Sequence, residues 1–210
     1  MFHYCQCDGA RSFAQGVDMT TDPITSSPSL VQQAESLATQ LEFAQSSLPE
    51  VGRLLHVLTS HITQGQIGEI GSGCGVGAAW IVSALHPDST LITIESDRDR
   101  AKLVQQLFAD KSNVRALQGD WRDLLTYAPF DLLFADGGKA KLTEPQTLIT
   151  ALKPGGFILL DDLTPEEYWP PEWHGRTDPI REFWLKDPRI AATEIRVAAK
   201  SSVILATRIQ

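Results

Sequence analysis

Apolar positions along the chain follow two rhythms. Between residues 29 and 64 they recur every three or four positions, first at Leu30, Val31, Ala34, Leu37, Ala38, Leu41 and Phe43, then at Val51, Leu54, Leu55, Val57 and Leu58. That is the spacing of one helix face, met twice. Ser29 is placed to cap the first helix, and Ser47 with Glu50 has the form of a capping box for the second. From Gln66 onward the rhythm changes to short apolar runs separated by helical stretches. Ile67–Ile70, Leu91–Glu95, Val114–Leu117, Asp131–Ala135 and Phe157–Leu160 read as strands. Helices are predicted at 98–108, after a Ser96-Asp97 cap, and at 142–152, ended by Lys153-Pro154-Gly155-Gly156. Apolar strands alternating with helices specify a parallel sheet covered on both faces.

The last third has a different texture. Residues 161–184 hold three of the five tryptophans, four prolines and seven acidic side chains. A helix is predicted after Asp178-Pro179, with proline in its first turn. Thr193–Val197 and Ser202–Thr207 then read as two strands joined by a short turn, an antiparallel pair at the end of the sheet.

Composition narrows the function without naming it. With 42% hydrophobic and 21% charged residues in 210, the chain has the make-up of a globular protein with a substantial core. A formal charge of −8 argues against a nucleic-acid partner, whose footprint is a basic face. No apolar run reaches the roughly 20 residues of a membrane span. The first residues lack a basic and apolar leader, so the expected location is cytoplasmic. The expected partner is a small molecule, with a homodimer left open.

His3, Cys5 and Cys7 have no fourth ligand at finger-like spacing, so a tail and linker are expected over residues 1–28. Met19 adds the expectation that residues 1–18 lie upstream of the native start. Three cysteines, Cys74 being the third, do not make a disulfide framework. His56 and His61, five apart, do not share a helix face and are expected on the surface or in packing.

The chemistry concentrates after the first strand, in Glu69-Ile70-Gly71-Ser72-Gly73-Cys74-Gly75-Val76-Gly77. Strand, glycine loop and helix build a nucleotide-type cofactor site, because a tight turn and close ligand approach both require a missing Cβ. Two cofactors fit at this point. Gly73-x-Gly75-x-x-Ala78 has the outline of a dinucleotide fingerprint, with Glu95 20 residues past Gly75, which would make an NAD-dependent oxidoreductase. Alternatively, the acid at Glu69 followed by Gly71, Gly73 and Gly75 resembles the S-adenosylmethionine loop of class I methyltransferases.

Further stretches carry that second resemblance. Glu95 ends the second strand, where the family's acid grips the ribose. Gly119-Asp120-Trp121 follows the third, where the family places a carboxylate for the adenine amino group. Lys153-Pro154-Gly155-Gly156 precedes the fifth strand, as in these enzymes. The resemblance implies a Rossmann-like class I methyltransferase fold: a seven-stranded, mostly parallel sheet with an antiparallel last strand, helices on both faces and N-terminal helices over the cofactor mouth. It also implies S-adenosylmethionine held by Glu69, Gly71, Ser72, Gly73, Gly75, Glu95, Asp120, Trp121 and Asp136.

Asp136-Gly137-Gly138-Lys139 resembles the Asp-x-x-Lys of the cation-dependent O-methyltransferases of the catechol and caffeoyl-CoA type. This implies Asp136 as a ligand of Mg²⁺ or a similar cation and Lys139 as the base. Asp161-Asp162 stands where that family has an Asp-Asn pair, the remaining metal ligands, and Asp162 departs from the asparagine. Helix caps and solvent-facing loop residues remain an alternative for these acids, and His174 is an alternative base if no metal binds. The implied division is a single domain over 29–210, with helices at 29–64, a cofactor core at 66–161 and an acceptor-side segment with terminal strands at 162–210. Residues 163–177 are either a lid packed on the core or an aromatic wall for a flat acceptor. A cofactor-binding regulator without catalysis is the non-enzymatic alternative.

Overall fold

The computed structural model describes residues 27–137 and 139–209. The expectations for His3, Cys5, Cys7, Met19 and nearly all of the 1–28 tail lie outside them, as does Gly138. Helices α1 (Ser29–Gln40) and α2 (Pro49–Ser60) come first. They lead into β1 (Gln66–Ile70), α3 (Val76–Ala84), β2 (Thr90–Glu95), α4 (Arg98–Leu107) and β3 (Val114–Gln118). Next come α5 (Trp121–Leu124), β4 (Phe130–Ala135), α6 (Ala140–Thr143), α7 (Pro145–Thr150) and β5 (Leu152–Leu163). Helix α8 (Pro179–Trp184) and strands β6 (Ile190–Ala198) and β7 (Ser201–Arg208) close the chain.

The seven strands form one sheet in the order β3-β2-β1-β4-β5-β7-β6. The five strands from β1 to β5 pair in parallel, while β7 runs antiparallel to both β5 and β6. The chain starts in the middle, winds one way to β3, then returns across β1 to β4. The strand order therefore reverses between β1 and β4, where open α/β sheets put their ligands, beyond the carboxyl ends of the strands.

The period of two along each strand divides the core in two. Ile67, Leu91, Leu132, Phe134 and Leu159 face α1 to α4. Ile92, Ile94, Leu133, Ile158 and Leu160 face α5 to α8, whose largest buried contribution is Trp184. Helix α2 lies close on α3: a Cβ on Gly52 would stand 2.1 Å from Trp80 Nε1. The His56 and Trp80 rings meet edge to face at 6.2 Å, which gives His56 the packing role expected of it.

Three local expectations are corrected. Neither N-terminal helix has a side-chain cap: Pro28 and Leu48 occupy the cap positions, so Ser29 and the Ser47–Glu50 pair do not serve there. The single helix expected at 142–152 is two, because Pro145 has no N–H to continue a helix and instead starts a new one. Lys153-Pro154-Gly155-Gly156 lies inside the long β5 rather than ahead of it. The Asp97 cap expected on α4 forms, accepting from Asp99 N and Arg100 N, and Asp178 caps α8 by accepting from Ile180 N.

Candidate active site

The glycine loop is anchored from below and behind. Gly71 and Ser72 both donate backbone N–H groups to the Ile94 carbonyl, at 2.9 and 3.2 Å, which ties the loop to the end of β2. Gly75 has φ 87° and caps α3 in the left-handed conformation, which a residue with a Cβ resists. Gly71, at φ 90°, has no room either: a Cβ there would stand 2.9 Å from the Gly137 nitrogen. The loops after β1 and β4 thus touch at the point of strand-order reversal. Asp136 and Gly137 both donate to the Ile70 carbonyl, at 3.1 and 2.9 Å, and so complete the crossing.

Glu69 sits beneath this loop rather than in the groove. It is 1% exposed, and its Oε2 accepts from the Thr93 hydroxyl, which also meets Ser72 Oγ. Burial pushes its carboxyl up to about 8. Glu95 is buried too, and its oxygens accept from Gly73 N at 2.9 Å, Asp97 N at 2.9 Å and Arg100 Nη2 at 2.9 Å. The acid expected to grip a ribose is at the same time the clamp of the glycine loop.

Two cavities meet along Gly71, Glu95 and Gly137. One, of about 310 Å³, is lined also by Asp120, Trp121 and Lys139. The other, of about 510 Å³, is lined also by Ser46, Ser47, Arg100, Asp136 and Asp162. Together they form a groove along the sheet's carboxyl edge. Phe43, in the α1–α2 connection, lies over it: a Cβ on Gly73 would stand 2.9 Å from its ring, and Arg100 sits 5.2 Å from its centroid. Ser46 Oγ and Arg100 Nε are buried here without a hydrogen-bond partner among the described residues. Buried donors of this kind are costly unless something satisfies them.

Asp120 caps α5 in a reciprocal capping box with Asp123 while lining the first cavity. Ser47 points its hydroxyl at Asp136 Oδ2, 3.4 Å away, instead of capping α2. The Asp136 carboxyl is pushed up to about 8, first by burial and then by Asp162 and Asp161. Burial also raises Asp161, to about 6, although its Oδ1 accepts from Asp162 N at 2.8 Å. Asp162 adopts φ 63°, rare for a residue with a Cβ, and its side chain is 64% exposed.

Lys139 is exposed and lines the Asp120 side of the groove. The lysine placed with the acids is Lys141, two residues on and 2% exposed. Its ammonium donates to the Asp161 carbonyl and lies 3.7 Å from Asp162 Oδ2. Its own carbonyl accepts from Trp184 Nε1 at 3.0 Å. No sequence signal separated it from Lys139, because the motif spacing favours Lys139 and burial is a tertiary property. Ser46, Ser47 and Arg100 were likewise unmarked as site residues.

The expected metal fits these residues poorly. Among the described residues, no group of three or more His, Cys, Asp and Glu is arranged to hold a metal ion. Asp136 is turned to Ser47, Asp161 to the Asp162 N–H, and Asp162 to Lys141 and solvent. A hard dication needs converging oxygens, and a buried ammonium already stands among these.

Asp162 also lines a third cavity, of about 640 Å³, walled by Tyr168, Trp169, Trp173 and Arg176. Trp169 and Trp173 meet edge to face at 6.2 Å. Arg181 fixes the wall: it pairs with Asp178 and Glu194, donates to the Thr164 carbonyl at 3.1 Å, and lies 5.7 Å from the Trp169 centroid. Within residues 163–177, Leu163 is buried in the core. Trp184, just beyond the segment, is core, while Trp173 is half exposed on the cavity.

The sheet order and the crossing at β1 and β4 define a Rossmann-like class I methyltransferase fold. Residues 69–163 match the family described as a methyltransferase domain. A protein of Mycobacterium sp. (strain JLS) assigned as an O-methyltransferase is 31% identical over 122 residues, 53% of this chain and 54% of that protein. The chain thus spans about half the length of the curated relatives it matches. Among solved structures, the Bacillus cereus O-methyltransferase in complex with SAH superposes with a TM-score of 0.74 at 20% identity, over 88% of this chain and 93% of that one. TomG of Streptomyces achromogenes, an O-methyltransferase of tomaymycin synthesis in complex with SAM, gives 0.73 at 22% identity, over 88% and 92%.

Proposed function

We propose that this chain is an S-adenosylmethionine-dependent O-methyltransferase acting on a small, flat acceptor. One observation carries the proposal: Asp162 lines both the glycine-loop groove and the aromatic cavity, so a donor and an acceptor site share a wall. The relatives' assignments, and the SAH and SAM bound in the superposed structures, support the same donor.

The groove suits this cofactor's parts. Glu95 and Asp120 face the nucleoside half, with Trp121 beside them. Ser46 Oγ and Arg100 Nε, unpartnered in the other half, suit the carboxylate of a methionine moiety. When bound, S-adenosylmethionine supplies a methyl group on a sulfonium, whose C–S bond breaks as a bond to the acceptor oxygen forms. The chain's part is to align acceptor with donor and to remove the hydroxyl proton. Asp136, at the end of β4 with Ser47 beside it, is the group to take that proton. Tyr168, Trp169 and Trp173 offer faces on which a planar acceptor stacks.

No step here runs through a divalent cation, which the sequence resemblance implies, since Lys141 supplies the positive charge at the acids. Lys139, implied as the base, serves instead as a wall of the nucleoside half. The test is calorimetry with S-adenosylhomocysteine and with NAD, followed by methyl transfer to a panel of phenols. Micromolar binding of the first and transfer to at least one phenol are expected; binding of NAD alone would overturn the proposal. Cofactor binding with no transfer to any acceptor would favour the non-catalytic regulator.

A further inference from the structure

A lysine ammonium inside a protein is costly, by several kcal/mol, unless the fold gives it partners. Lys141 is 2% exposed and sits on the four-residue helix α6, held in place by the bond from Trp184 to its carbonyl. Among the described residues its ammonium meets one corner, the Asp161 carbonyl and the Asp162 carboxylate at the end of β5. That corner is unusual in its own right. Asp162 is held at φ 63°, and Asp161 closes back on the Asp162 N–H. Backbone strain of this sort persists where the surroundings enforce it, and it gathers at functional sites.

Resting on the methyltransferase reading, we infer that Lys141 is a built-in cation: its ammonium, set against the Asp161 carbonyl and the Asp162 carboxylate, supplies the positive charge that the sequence resemblance assigns to a divalent ion. Asp136, Asp161 and Asp162 concentrate negative charge at neighbouring strand ends, enough together with burial to raise Asp136 to about 8 and Asp161 to about 6. One ammonium offsets part of that charge, fixes Asp162 between the two cavities, and repels a second cation from the same oxygens. Lys141 is therefore a positioning residue, holding the shared wall while placing positive charge near the acceptor oxygen. Removing it leaves the Asp161 carbonyl and the Asp162 carboxylate without a counter-charge, and oxygens so freed, once able to turn together, attract a hard cation.

The experiment titrates Mg²⁺ and the luminescent probe Tb³⁺, sensitised by the nearby tryptophans, into wild type, Lys141→Met and Lys141→Arg. Wild type is expected to show no stoichiometric binding at millimolar Mg²⁺, and its methyl transfer to be unchanged by EDTA. Lys141→Met is expected to bind Tb³⁺ at least tenfold more tightly than wild type, and Lys141→Arg to behave as wild type. Stoichiometric Mg²⁺ binding by wild type, abolished in Asp161→Asn, would overturn the inference. So would equal Tb³⁺ affinity in wild type and a folded Lys141→Met. The wild-type titration decides even if Lys141→Met does not fold. S-adenosylhomocysteine affinity is measured in parallel: its absence defeats the methyltransferase reading, whereas the cation titrations bear on Lys141 alone.

Discussion

At the scale of single residues, the glycine loop depends on acids that are also structural. Glu69 is neutral when folded at moderate pH and has an ordinary carboxyl when unfolded. The folded state therefore holds the extra proton between about pH 4.5 and 8. Stability from this group is complete below that window and lost as pH rises through it, on the order of 4 kcal/mol in all. Glu69→Gln is expected to flatten the fall in Tm from pH 5 to pH 8, measured without cofactor. If wild type and variant lose stability in parallel, the burial argument fails. Glu95→Gln weakens the clamp on Gly73 N and the ion pair with Arg100. Its S-adenosylhomocysteine affinity should drop more than tenfold by calorimetry, and an unchanged affinity would remove Glu95 from the cofactor site.

Gly71 and Glu95 were legible in the sequence as the ends of two neighbouring strands, and both line the groove, whereas Glu69, expected among the cofactor ligands, is buried beneath the loop. Lys141 was not legible, since nothing in a run of Lys139-Ala140-Lys141 tells which ammonium turns inward. Ser47 was misread for a similar reason: a serine ahead of a helix can cap it, but the hydroxyl is equally free to reach a carboxyl 89 residues away.

At the scale of elements, the aromatic wall is held by α8. Asp178 caps that helix through Ile180 N at 2.8 Å and pairs with Arg181, which in turn reaches Glu194 on β6. Arg181→Met should loosen residues 164–178, raise the acceptor KM severalfold and leave S-adenosylhomocysteine affinity unchanged. A parallel loss of cofactor binding would mean that the wall is not a separate acceptor element. Among the elements, the strands were read within a few residues from their apolar runs, apart from the greater length of β5. The division of α6 from α7 turned on Pro145, whose missing N–H was passed over in favour of the longer apolar period.

At the scale of the whole molecule, the N-terminal helices are part of the site although they lie outside its sheet. Helix α2 is locked to α3 through Gly52 and Trp80, and the segment just before α2 delivers Ser46 and Ser47 to the groove. Gly52→Ala must push the indole or the helix aside, with an expected cost of about 1–3 kcal/mol. A lower Tm together with weaker S-adenosylhomocysteine binding is the expected result; a lower Tm with unchanged binding would show that α2 does not position the serines. The parallel body of the sheet and its antiparallel end were foreseeable from alternating strands and helices together with the terminal strand pair. The lie of α2 across α3 was not, because a missing Cβ at Gly52 acquires meaning only once Trp80 is opposite.

The contact between Gly71 and Gly137 also bears on how this chain can change by descent. A side chain at either position meets the other loop: at Gly71 it meets the Gly137 nitrogen, and at Gly137 it approaches Ile70 Cγ2 at 3.3 Å. The glycine loop and the loop after β4 therefore form one locus for selection, even though 66 positions separate them in the sequence. New acceptors are best sought elsewhere, in the aromatic residues between 164 and 178, where variation leaves that crossing alone. A library randomised there should yield altered acceptor preference on an intact donor site, whereas a library randomised at the crossing should return mostly glycine.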